Sequence, residues 1–151
     1  MYQPELRAEV SQGDIFADVA VPEVTVNIST NESFVNIQYT QAILLTHDCE
    51  YDKPACDWIM IATVRKLSDL DEGTAGHIRA NRVKRAFYLP PSEQIPEETF
   101  VDFRRIDRVS KNFMFQFGPR RILSLTEDAR LALQRQLAAF FGYNLPEVKK
   151  D

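Results

Sequence analysis

The chain has 151 residues, 44% of them apolar, and 18 Lys and Arg against 22 Asp and Glu give a net charge of −4. That length and apolar share suit one domain with one ordinary core and argue against a second independent domain. Charges at Glu5, Arg7 and Glu9 leave no apolar run for a signal peptide, no stretch approaches a membrane span, and two cysteines are too few for a disulfide scaffold. A cytoplasmic protein with reduced thiols and no membrane association is expected.

"GDIFADVAV" (13–21) sets Ile15, Phe16, Val19 and Val21 among small or acidic residues and predicts a first strand that breaks at Pro22. "VTVNI" (24–28) and "FVNIQY" (34–39) alternate with period two around the turn-forming "STNES", the pattern of a hairpin. "AILLTH" (42–47) and "WIMIATV" (58–64) are continuous apolar runs, as expected of strands buried on both faces, joined by the polar "DCEYDKPACD". From Arg65 to Arg85 the β pattern is lost, and Leu67, Leu70, Ile78 and Val83 fit a short helical or irregular excursion interrupted at Gly73 and Gly76.

"AFYLP" (86–90) reads as a strand, "PSEQIPEE" as a proline-rich loop, and "TFVDFRRIDRV" (99–109) as a strand or strand pair with a basic polar side. "NFMFQF" alternates as an amphipathic strand would. The last element carries the fullest set of signals. Thr126 is placed as an N-cap, Glu127 and Asp128 suit the first turn, Gly142 is a stop, and Ala129, Leu133, Leu137, Phe140 and Phe141 share one face. This predicts a single domain over 1–146, built of several strands and a C-terminal amphipathic helix, followed by a charged tail at 147–151.

Charge is distributed unevenly. Residues 1–58 hold ten acids against Arg7 and Lys53, whereas residues 79–121 hold ten bases against five acids. Either the basic block follows a phosphate backbone or it balances the acidic half within the fold. As a nucleic-acid surface it offers Arg79, Arg82, Lys84, Arg85, Arg104 and Arg108, with Tyr88, Phe113, Phe115 and Phe117 as candidate base-stacking rings. His47, Cys49, Cys56 and His77 are the whole His and Cys content, in an H-x-C-x6-C-x20-H spacing. A Cys2His2 zinc site is one reading of that set, a Cys49 nucleophile activated by His47 or His77 with Asp48 orienting the base is another, and a small buried cysteine beside a turn is the third.

The order of the parts resembles the MazF/PemK (Kid) toxin family: "GDIF" is similar to its first strand, "AILLTH" and "WIMIATV" to its central pair, and "TFVDFRRIDRV", "RIL" and the "SLTEDARLALQRQLAAFFG" helix to its ending. The resemblance implies a mainly β, α+β fold: a small, strongly bent SH3-like barrel with a C-terminal helix. It also implies a homodimer, an antitoxin partner, and metal-independent cleavage of single-stranded RNA. Thr63 stands where the family often has a threonine or serine, but Tyr39-Thr40-Gln41 occupies the place of the catalytic arginine. Arg104, Arg105 or Arg108 would have to supply that cation, with Thr63 and His47 as further catalytic candidates. The expectation is therefore a divergent RNA- or protein-binding barrel in a toxin–antitoxin or phage-conflict setting, without a cofactor. An endoribonuclease and a zinc-stabilised interaction module are the alternatives.

Overall fold

The structure, a computed structural model, describes residues 1–116 and 118–143. Phe117 and the tail 147–151 lie outside the described residues, as does the side chain of Phe115. Six strands make one antiparallel sheet: β1 (Asp14–Asn27), β2 (Glu32–Leu44), β3 (Trp58–Lys66), β4 (Ala86–Leu89), β5 (Thr99–Ser110) and β6 (Arg120–Ser124). Their order across the sheet is β4-β5-β3-β2-β1-β6. Helices α1 (Asp48–Tyr51), α2 (Glu72–Arg79), α3 (Lys111–Gln116) and α4 (Glu127–Phe140) fill the connections and the C-terminal end.

The mainly β, α+β class holds, and the SH3-like barrel does not. Closing a sheet requires its two outer strands to pair in register. Here β4 and β6 are the outer strands, they span four and five residues, and they do not pair with each other: β4 pairs with β5, while β6 pairs with β1 and at its end accepts the Gln3 amide at Ser124. Pro90 and Pro91 follow β4, and β6 leads directly into α4, so neither edge can lengthen to meet the other. The sheet is open, and the expected barrel of the MazF/PemK family is corrected to an open six-stranded sheet.

The central strands are buried on both faces, as their unbroken apolar runs require. Ile15, Ile43, Ala62, Val101 and Phe103 face one way, into a core closed by Ala129 and Leu133 of α4 with Leu137 and Phe140 packed against it. Their neighbours Phe16, Leu44, Ile61 and Val109 face the other way, into a second core with Met114 of α3. A third cluster, Leu67, Ala75, Ile78, Ala86 and Phe100, seats α2.

Three local expectations change. β1 does not break at Pro22, because β6 pairs only with Asp14–Ala17 and the edge beyond it is open, where the missing N–H costs no ladder bond. Residues 112–116 of "NFMFQF" lie in α3 rather than in a strand, with Ser110 Oγ accepting from the Phe113 amide at 3.4 Å. Phe141 is exposed beyond the end of α4 and does not extend its apolar face.

Gly13 opens β1 at φ +86°, and a Cβ there would sit 3.2 Å from Leu125 Cδ1. Gly13→Ala should therefore destabilise the protein by more than about 1 kcal/mol, read from the urea midpoint, since it combines a disfavoured φ with a packed neighbour.

Candidate docking surface

The first hairpin outruns the sheet that holds it. β2 pairs with β3 only over Ala42–Leu44, and β1 pairs with β6 only over Asp14–Ala17, so from Val19 to Tyr39 the two strands have only each other as ladder partners. Every residue from Pro22 to Tyr39 is exposed. Val, Ile, Thr and Phe favour the extended backbone, and the turn is set by Asn27 Oδ1 accepting from the Ser29 amide and by Asn31 at φ 56°.

The register decides what this ribbon presents. Pro22 opposes Ile37 and Val24 opposes Val35, which places them on one face together with Val26. Glu23–Asn36, Thr25–Phe34 and Asn27–Glu32 alternate onto the other face, which is largely polar. An amphipathic ribbon results, and its apolar face is uncovered: Val24 is 63% exposed, Val35 66% and Ile28, at the turn, 91%. On a two-stranded ribbon that much exposed apolar surface marks an interaction site.

At its root the ribbon meets the body of the protein across two adjoining hollows. One is an apolar groove of about 300 Å³ between Pro22, Val35 and Ile37 on the ribbon and Trp58, Val109 and Phe113 on the body. Trp58 is 53% exposed, and the Arg108 guanidinium lies 5.5 Å from its ring centroid. Pro22 also lines the second hollow, a polar cleft of about 410 Å³. That cleft brings together Thr63, Arg104 and Arg105, three of the residues singled out from the sequence, with Thr40, Glu23 and Asp107.

Arg104 is held in place by Asp102, its Nε and one terminal nitrogen each donating to the carboxylate at 2.9 Å. The Arg105 side chain has no ion pair or hydrogen bond among the described residues. Of the other basic candidates, Arg79 is paired with Glu72 and Glu98, and Tyr88 donates to Glu98 at 2.6 Å. Burial, followed by that carboxylate, pushes the Tyr88 phenol up to about 12. Arg82, Lys84 and Arg85 are exposed, and the Arg85 carbonyl accepts from the Phe103 amide, so this turn adjoins Arg104.

His47 and Cys49 lie elsewhere, on α1. His47 caps that helix, its Nδ1 accepting from the Cys49 amide at 3.3 Å and lying 3.2 Å from Cys49 Sγ. The two residues thus meet, through a helix cap and not along an extended strand. The cause is that the strand ends at Leu44 and the chain turns into a helix at Asp48. Cys49 is exposed rather than buried. Cys56 Sγ donates to the Trp58 carbonyl, and His77 is an exposed residue of α2. No group of three or more His, Cys, Asp or Glu side chains is placed to hold a metal among the described residues, so the zinc-stabilised reading is corrected.

Two features escaped the sequence reading. One is the set of long-range partners of Asp48, which accepts from the Gln12 amide and from Arg130 at 2.6 Å, while Gln12 in turn reaches the Leu45 carbonyl and Gln134. These partners are distant in the chain and leave no local signal. The other is the apolar ribbon face with Trp58, whose signal is present: matched apolar residues on both hairpin strands with no third element to cover them.

No protein-family model and no curated protein matches the chain. With the open sheet, this removes the MazF/PemK assignment and what rested on it: the RNA- or protein-binding barrel, the toxin–antitoxin or phage-conflict setting and the metal-independent endoribonuclease. No helix among the described residues is long and apolar enough to cross a membrane.

Proposed function

We propose that this protein is a binding module that docks an extended, apolar and acidic segment of a protein partner against its ribbon and groove. The observation that supports this reading is the uncovered apolar face of the ribbon opening onto the groove at Trp58. Extended backbone suits a site flanked by strands with unpaired edges, because a partner strand can use the free N–H and C=O groups. Acidic character suits the basic rim, where Arg108 borders the groove and Arg104 and Arg105 line the adjoining cleft. Trp58 is the natural anchor, since a large ring between apolar walls contributes most when water is excluded around it.

A displayed peptide library selected against the full chain tests this. Selected peptides should carry apolar or aromatic anchors with nearby acids, and Trp58→Ala should weaken them by about 30-fold, the equivalent of a 2 kcal/mol anchor. Trp58 is half exposed, so its removal leaves the fold intact. Peptides that bind the Trp58→Ala and Val35→Asp variants as tightly as the parent would overturn the proposal.

A further inference from the structure

We infer that the segment taken by this groove is the ribbon of a second copy, and that two copies exchange ribbons about a two-fold axis. The inference rests on the docking reading above and names its occupant. The chain itself carries a segment of the required kind. Residues 24–37, "VTVNISTNESFVNI", are extended and apolar on one face, and Glu32 is their only charge. Arg108 borders the groove they would meet, and the adjoining cleft sets Arg104 and Arg105 among Glu23 and Asp107.

Area points the same way. Val24, Val26, Ile28, Val35, Ile37 and Trp58 together expose on the order of 700 Å² per copy, close to the roughly 800 Å² that each partner gives to a standard stable interface. A two-fold arrangement uses the same patch on both copies, so one contact covers both ribbons and both grooves. It also closes the assembly. A long apolar ribbon with both edges unpaired otherwise invites open-ended edge-to-edge association.

Sedimentation velocity across a concentration series tests the inference with the full chain. The parent should dimerise, and Ile28→Asp, which damages the ribbon tip, and Trp58→Ala, which damages the groove, should each weaken the dimer by about tenfold or more. Both positions are exposed, so the variants retain the monomer fold. Reciprocal exchange makes a sharper demand. A mixture of the two variants confines both lesions to one contact and leaves the other intact, so the heterodimer should associate more tightly than the weaker of the two variants. A monomeric parent that still selects Trp58-dependent peptides would overturn the self-exchange and leave the docking reading standing. A dimer indifferent to both variants, or unrescued by mixing, would place the interface elsewhere and overturn it as well. A monomer that selects no such peptides would overturn both.

Discussion

Asp14→Ala is expected to lower the stability of the protein by about 3–5 kcal/mol, seen as a large fall in the urea midpoint, because it strands a buried cation. Asp14 is 1% exposed at the start of β1. Its Oδ2 accepts from the Ser11 amide at 2.9 Å and from Arg121 at 3.0 Å. Arg121, largely buried itself, also donates to the backbone carbonyls of Arg7 and Glu9. One carboxylate thus ties the N-terminal segment, β1 and β6 together. Without it the guanidinium keeps its burial and loses its counter-charge, and the Ser11 amide loses its acceptor. The double variant Asp14→Ala/Arg121→Met should recover part of the loss, since an apolar side chain fills the site without a charge to compensate. If the double variant were as unstable as the sum of the two single variants, the carboxylate would be acting through packing and not through the pair.

The same ion pair shows how far local sequence carries. Counting charges separates an acidic first half from a basic block at 79–121, and among the described residues Asp14–Arg121 is the pair that joins them. Which acid meets which base depends on β1 lying beside β6, and that is set by the whole sheet. Helix α4 was legible because its signals are local: Thr126 accepts from the Ala129 amide, acids follow, and Gly142 adopts φ 86°. The central strands were legible because Ile43 and Leu44, or Ile61 and Ala62, must face separate cores. Barrel closure was not. The strands of an open sheet and of a closed one carry the same alternation, and only the pairing of the outermost strands distinguishes them. Pro22 was misleading for a related reason, since a proline that breaks an inner strand is harmless on an open edge. At the site, the scarce residues His47 and Cys49 drew attention, while Asp48 between them makes the long-range ties, to Gln12 and Arg130, 36 and 82 residues away.

Asp102→Asn should cost about 1–2 kcal/mol at neutral pH, and the cost should shrink in acid. Asp102 is 1% exposed on β5, opposite Ala86 of β4. Burial alone would raise its pKa, but hydrogen bonds from the Arg104 side chain and amide, with Arg65 at 3.4 Å, outweigh it and hold the carboxyl below the ordinary aspartate value. A carboxyl with a lower pKa folded than unfolded binds protons more readily in the unfolded chain, so it stabilises the fold above its unfolded value of about 3.9. That contribution disappears as the pH falls through the folded value. The stability gap between parent and variant should therefore be constant from neutral pH down to about 4 to 5 and narrow below that, measured by urea unfolding at a series of pH values. A gap unchanged in acid would mean that Asp102 acts by shape and not by charge. The variant also separates the two hollows. Neutralising Asp102 releases Arg104, which lines the polar cleft, and leaves untouched the apolar groove around Trp58. Peptides anchored at Trp58 should accordingly keep their apolar selection on the Asp102→Asn protein, and their preference for acids should persist or strengthen, because Arg104 keeps its charge and loses its internal counter-ion.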